Sequence, residues 1–198
     1  MNILAHAYLA GPDEGLIIGN FIADFIKGNP AHPRHGLSEG VLAGVRLHRR
    51  IDTFTDAHPI IEEMRKVVRP RCHKYAGAAI DVFMDHFLAL RFDTLAGIPL
   101  EVFVNRFYDL IGRNQGRLPA GAVRMAEYMI RHDWLTGYRS PEGIDRSLKG
   151  LARRTAFPSH LDTAVEDLTV HYRIFEDGFS RFFPLLQEDV DLFLKENA

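Results

Sequence analysis

Apolar positions recur every three to four residues along nearly the whole chain, which is the spacing of one face of an α-helix. Long alternating runs of apolar and polar residues, which are typical of strands, are almost absent. The pattern predicts an all-α, single-domain helical bundle over residues 1–198. The predicted helices are Asn2–Ala10, Asp13–Lys27, Ser38–Thr55, Ile60–Val68, Tyr75–Phe92, Leu100–Asn114, Ala120–Arg131, Ser147–Arg154 and Leu161–Lys195, the last kinked or split at Pro184.

The composition is that of a soluble globular protein and excludes several classes. Of the 198 residues 46% are apolar and 25% charged, and the formal net charge is -2. The apolar fraction excludes a disordered chain, and the charge disfavours a nucleic-acid-binding protein. The most apolar window, Leu16 to Ile26, is too short to span a bilayer, so we expect the protein not to associate with a membrane. With Cys72 as its one cysteine and no signal-peptide pattern at its start, the chain is expected in the cytoplasm.

Candidate chemistry is concentrated on a few helices, and the clearest pair is His48 with Asp52. The two residues are one helical turn apart, so both side chains lean toward the same face and can bind one metal ion. The alternative is an ordinary His–Asp pair that ties the helix to a neighbour. Arg49 and Arg50 point to other faces, where they are either solvated charges or contacts to a phosphate group.

Asp24 lies in a segment that is apolar nearly all round, which is typical of a buried helix. A carboxylate there must be paired, capped or bound to a metal, and Asn20 lies one turn before it on the same face. A hydrogen bond to a backbone group is the alternative. His6 among apolar residues and His171 beside Tyr172 are each consistent with a core histidine or with a ligand.

Asp81 and Asp85 are also one turn apart, at the edge of the apolar stripe of a strongly predicted helix. Burying both without a partner is costly, so they need a cation or strong donors; solvated acids at a helix edge are the alternative. Four helical segments thus bring His or Asp to an apolar flank. Helical bundles often build metal sites in this way, and mixed imidazole and carboxylate ligands suit Mn, Fe, Mg or Zn.

In this order the motifs resemble the acyl carrier protein phosphodiesterase family, also called ACP hydrolases. The matching pieces are Asn2–His6, Gly19-Asn20 through Asp24-Phe25, His48-Arg49-Arg50-Ile51-Asp52, Thr55-Asp56, Asp81 with Asp85-His86-Phe87, His171-Tyr172 and Phe183-Pro184. The resemblance implies an HD-domain-like fold, because the family is regarded as a divergent relative of HD-domain phosphohydrolases. Those enzymes carry a His-Asp doublet, whereas this chain has the reverse order, Asp85-His86.

The resemblance also implies a reaction. The family hydrolyses the phosphodiester between 4′-phosphopantetheine and a serine of holo acyl carrier protein, and it releases apo acyl carrier protein and 4′-phosphopantetheine. Its activity needs a divalent cation, so we expect Mn²⁺ here, with Mg²⁺ or Fe²⁺ as alternatives. The competing hypotheses are a metal-dependent phosphohydrolase of a small nucleotide such as guanosine tetraphosphate, and a non-catalytic helical binding protein.

On this resemblance we expect specific roles for the residues singled out above. The expected metal ligands are Asp24, His48, Asp52, Asp85 and His6. The expected catalytic groups are Asp81 as a further ligand or its support, His86 as the group that orients a ligand or protonates the departing serine oxygen, and Arg49 or Arg50 on a phosphate oxygen. Asn20 and His171 are expected at the substrate.

Acyl carrier proteins are small and acidic, so their docking surface on this protein is expected to be basic. The segment from Arg65 to Lys74 carries five cations and no acid, and we expect Arg65 and Arg69 to bind the substrate. A second basic stretch runs from Arg146 to Arg154. A solvated basic face is the alternative for both.

Overall fold

The computed structural model describes residues 1–197, and within that range it is helical with no strand. The predicted all-α class is therefore confirmed, while the HD-like and single-domain assignments stay predictions. The helices are α1 (Ile3–Leu9), α2 (Glu14–Ile22), α3 (Glu39–Ala57), α4 (Pro59–Cys72), α5 (Ala76–Ala96), α6 (Leu100–Arg113), α7 (Ala120–Arg131), α8 (Trp134–Gly137), α9 (Pro141–Ala152), α10 (Val165–Val170) and α11 (Tyr172–Glu196).

The helix boundaries differ from the predicted ones where caps and tertiary packing decide them. Helix α9 begins at Pro141 rather than at Ser147, because the Ser140 side chain caps its first turn and proline suits the first helical position. The last predicted segment is interrupted at His171 rather than at Pro184. Helix α11 continues through the exposed Pro184 because buried side chains on both sides hold it on the core.

Helix α5 is the centre of the fold. It is buried on nearly all sides, and α1, α4, α9 and α11 pack around it. Ile80, Phe83 and Phe87 are among its buried side chains, and each such burial stabilises the fold by roughly 1.5–3 kcal/mol. No helix in the described range is long and apolar enough to cross a membrane.

Helices α2 and α3 pack backbone against backbone at Gly19 and Gly44. A Cβ atom at Gly19 would lie 2.0 Å from the carbonyl oxygen of Val41, and one at Gly44 would lie 2.4 Å from that of Leu16. Only glycine fits at both positions. This approach sets the last turn of α2 against the middle of α3, where most of the predicted metal ligands lie.

Candidate metal centre

Two buried histidines from different helices lie face to face. His6 on α1 and His48 on α3 have ring centroids 4.1 Å apart and planes inclined by 21°. Asn20 on α2 lies behind both rings. Its Oδ1 accepts hydrogen bonds from Nδ1 of His6 at 2.8 Å and from Nδ1 of His48 at 3.1 Å, and its Nδ2 donates to the main-chain oxygen of His6 at 3.0 Å.

This network places a proton on Nδ1 of both rings. A main-chain oxygen can only accept, so the bond from Nδ2 sets the orientation of the Asn20 amide. The amide oxygen can also only accept, so each Nδ1 must carry a proton. The Nε2 atoms of His6 and His48 are therefore the ones that face the open side of the site. One buried amide thus orients two candidate ligands at once.

Two carboxylates meet these Nε2 atoms. Oxygens of Asp52 lie 3.2 Å from Nε2 of His6 and 3.0 Å from Nε2 of His48, and an oxygen of Asp24 lies 3.5 Å from Nε2 of His48. The Asp52 side chain is 42% exposed and that of Asp24 is 81% exposed, whereas both imidazoles are buried. The structure therefore brings together four of the five predicted ligands at a solvent-accessible position.

The charges of the cluster depend on one another. Burial opposes a positive charge on His48, but hydrogen bonds to Asp24 and Asp52 outweigh it and raise the pKa of His48 to about 9. Burial lowers the pKa of His6. Burial also opposes ionisation of Asp52, but bonds from the two histidines outweigh it and lower the pKa of Asp52 below its usual range. The bond from His48 likewise lowers the pKa of Asp24.

This donor set fits a divalent metal ion. One ligand atom from each of His6, His48 and Asp52 lies within 4.8 Å of the others, which is close enough for all three to bind one ion. Asp24 is placed to add a further oxygen. Imidazole and carboxylate ligands suit Mn, Fe or Zn, and they do not by themselves distinguish between these metals.

The cluster opens onto a cavity of about 550 Å³, a volume typical of pockets that bind small organic molecules. Sequence reasoning missed the wall opposite the histidines, because its residues are isolated positions on several helices and share no motif. Most of them are apolar, and Tyr138 among them receives a hydrogen bond at 3.3 Å from Nδ2 of Asn2. The residues of this wall include Phe107, Met125, Trp134, Tyr138, Ser147, Leu151 and Arg154.

Asp85 lies apart from the cluster, although it was expected among the ligands. Its two oxygens accept backbone N–H groups of Asn2 at 3.3 Å, Leu4 at 2.8 Å and Ala5 at 3.3 Å, so it holds the start of α1. Burial raises the pKa of Asp85 to about 7, although these donors lower it. Asp81 lines the cavity, and its carboxylate pairs with the amino group of Met1 at 2.9 Å.

His86 and His171 also lie outside the cluster. Nδ1 of His86 lies 2.7 Å from the main-chain oxygen of Tyr138 and donates to it, and the ring packs edge-on against Phe87 and Tyr172. His171 is half-buried at the junction of α10 and α11. Both side chains are outside the cavity lining, so the roles predicted for them stay predictions.

The four arginines expected at the phosphate or the substrate have partners within the chain. Arg49 donates to two main-chain oxygens in the loop that follows α2, at 3.1 and 2.9 Å, and so braces the segment after Asp24. The carboxylate partners of the other three are Asp189 for Arg50, Asp56 for Arg65 and Glu62 for Arg69. These contacts are structural, and the predicted substrate roles stay predictions.

Comparison with known proteins gives consistent results. The family model described as "Acyl carrier protein phosphodiesterase" matches residues 1–186. A protein of that name from Photorhabdus laumondii is 33% identical over 192 residues, which cover 96% of each chain. Proteins of the same name from Enterobacter sp. strain 638 and Escherichia coli O157:H7 are 35% and 34% identical, over 93% of this chain and 94% of theirs. No solved structure matches the chain.

Proposed function

The chain belongs to the acyl carrier protein phosphodiesterase family, and we propose that it hydrolyses the phosphodiester between 4′-phosphopantetheine and a serine of holo acyl carrier protein. Water adds to the phosphorus and the bond to the serine oxygen breaks. The products are apo acyl carrier protein and 4′-phosphopantetheine. The observation that carries the proposal is the convergence of two imidazoles and two carboxylates at the mouth of a cavity that can take a small organic arm.

The residues proposed to hold the metal are His6, His48 and Asp52, with Asp24 as a further oxygen ligand. We propose Mn²⁺, with Mg²⁺ or Fe²⁺ as alternatives. A divalent ion supplies charge neutralisation of the phosphodiester and a bound water with a lowered pKa. Asn20 orients both imidazoles so that Nε2 of each is presented to the open side.

The remaining side chains position the metal ligands and the cavity wall. Asp85 holds the start of α1 and thereby the place of His6, which supports a positioning role rather than direct ligation. His86 donates to the main chain at Tyr138 and thereby fixes one part of the opposite wall. The apolar part of that wall excludes water from the arm of the prosthetic group, while Tyr138 and Arg154 offer polar contacts.

The proposal is tested by measuring the mass of the carrier protein before and after incubation. Chelator-treated enzyme is incubated with holo acyl carrier protein, with and without added Mn²⁺, and the carrier is analysed by mass spectrometry. We expect loss of the phosphopantetheine mass only when Mn²⁺ is present. Turnover in the presence of excess chelator would contradict the metal assignment.

Absence of any mass loss with several divalent metals would contradict the reaction itself. The same preparations would then be tested on guanosine tetraphosphate, which shares the phosphoryl chemistry but not the protein partner. A His132→Gln variant is the matched control, because His132 is an exposed histidine outside the cavity and should leave turnover unchanged.

A further inference from the structure

A group of cations lies beside the cavity, and Lys74 and Arg153 among them are outside its lining. Lys74, Arg153 and Arg154 are exposed, and within residues 1–197 none of them forms a salt bridge. Arg65 and Arg69, which the sequence favoured for docking, are by contrast neutralised by carboxylates of their own chain. Free positive charge beside the cavity therefore lies at Lys74, the last residue of the first basic segment, and at Arg153 and Arg154 in the second.

An exposed aromatic ring lies among these cations. Phe157 is 62% exposed, and Nζ of Lys74 lies 3.9 Å from the centre of its ring. Aromatic side chains are enriched at protein interfaces, and the attraction between Lys74 and the face of the ring keeps Phe157 beside the positive charge. We refer to Lys74, Arg153, Arg154 and Phe157 together as the basic rim.

The basic rim is continuous with the cavity that holds the candidate metal centre. Arg154 and Thr155 line that cavity, and Thr155 also lines the shallow depression that contains Arg153 and Phe157. Asp162 is the one acid among the described residues of this depression. A partner seated on the rim would thus lie at an entrance to the cavity.

The segment that carries the rim is held in a defined conformation. The Thr155 hydroxyl lies 2.8 Å from the main-chain oxygen of Ala152 and 2.9 Å from that of Phe157, and it closes a tight turn between them. The thiol of Cys72 donates to the main-chain oxygen of His160 at 3.7 Å, which ties the end of α4 to this segment. The rim is therefore preorganised for docking.

We propose that the basic rim is the surface on which the acidic carrier protein docks while its prosthetic group enters the cavity. The inference rests on the proposed function and adds the place of docking to it. Three free cations complement an acidic partner and speed its encounter, and Phe157 supplies a central apolar contact. Because the phosphodiester is attached directly to a serine of the carrier, the carrier must approach the entrance closely.

The test measures binding and turnover separately. A Lys74→Glu/Arg153→Glu variant reverses two rim charges that do not line the cavity. The matched control is Arg46→Glu/Lys195→Glu, which reverses two exposed cations on α3 and α11, both outside the rim and without salt bridges in the described chain. Affinity for holo acyl carrier protein is measured by isothermal titration calorimetry at low salt with chelator-treated enzyme, so that no turnover occurs.

We expect the rim variant to weaken binding by about tenfold or more, and the control to change it by less than about twofold. Added salt should weaken binding by the native protein more than binding by the rim variant. A Phe157→Ala variant, which changes no charge, should weaken binding by about fivefold. Equal affinities for the rim variant and the control would overturn the proposal, as would a native protein that binds no carrier.

Failure of the docking proposal and failure of the proposed function give different results. If the native protein hydrolyses the substrate and the rim variant binds the carrier with unchanged affinity, the docking proposal is contradicted and the proposed reaction stands. If the rim variant loses affinity but the native protein does not hydrolyse the substrate, the docking proposal is supported and the proposed reaction is contradicted. A single-stranded oligonucleotide that binds the rim as tightly as the carrier does would overturn the assignment of the partner.

Discussion

The mouth of the cavity and the start of α1 each hold a pair of acidic side chains, and the two pairs have different partners. At the mouth, Asp24 and Asp52 face imidazole nitrogens and are open to solvent. At the start of α1, Asp85 is buried and accepts three backbone N–H groups, and Asp81 pairs with the amino group of Met1. A carboxylate occupied by backbone donors holds a chain segment, whereas one that faces imidazoles and water has room for an ion.

The largest effect is expected from removing an open carboxylate. Asp52→Ala removes the carboxylate that contacts both histidines, so we expect activity to fall by a factor on the order of a thousand or more. Metal content should fall with it. Turnover of holo acyl carrier protein and elemental analysis check this. Full metal content in the variant would break the distinction between the two pairs.

At the start of α1, removal of Asp85 should reduce stability rather than metal content. Asp85→Ala leaves three N–H groups, two of them buried, without an acceptor, so we expect the free energy of unfolding to fall by about 3 kcal/mol. Asp145→Ala is the control and should cost about 1 kcal/mol or less, because it breaks only the solvent-accessible pair with Lys149 on α9. Urea unfolding of chelator-treated protein measures both. If Asp85→Ala lost metal binding at unchanged stability, Asp85 would be a ligand after all.

The support behind the histidines allows a sharper test. Asn20→Ala frees both Nδ1 atoms, so the two rings lose their fixed orientation. We expect the Kd for Mn²⁺ to rise by about 10- to 100-fold, with all four side chains at the mouth still present. As the control, Asn114→Ala removes a half-buried amide outside the cavity that bonds only to the main chain of α6, and it should leave the Kd unchanged.

The smallest expected effect is a pH dependence of stability. The pKa of His48 is raised from 6.5 to about 9 in the folded, metal-free protein. Its stabilising contribution is therefore complete below pH 6.5 and is lost as the pH rises through 9. We expect a loss of about 2 kcal/mol over this range, reduced by solvent screening at the exposed Asp24. Urea unfolding of native protein and His48→Gln should show a steeper loss in the native protein; parallel curves would contradict the coupling.

The helices and half of the site could be predicted from the sequence because they depend on local spacing. His48 and Asp52 share a face through one helical turn, and the buried Asn20 stands out in an apolar segment. The burial predicted for Asp24 is wrong, because its side chain is 81% exposed. The structure adds what spacing cannot give, namely that Gly19 and Gly44 let α2 and α3 approach until these faces meet.

The rest of the site depends on distant contacts that leave no local signal. Asp85 and Asp52 each belong to an acid-containing pair at helical spacing, yet the donors to Asp85 are backbone groups some 80 residues away. Tyr138 and Trp134 reach the cavity only through the packing of α8. The sequence does not show that Arg65 and Arg69 are paired, because their carboxylate partners on the same chain are identified only in the structure.

The position of the metal tests the account most directly. Crystals of the native protein soaked in Mn²⁺ and measured near the manganese absorption edge would locate the ion by anomalous scattering. We expect a peak within bonding distance of His6, His48 and Asp52, at the mouth of the cavity. A peak beside Asp85, or none at the mouth, would contradict it.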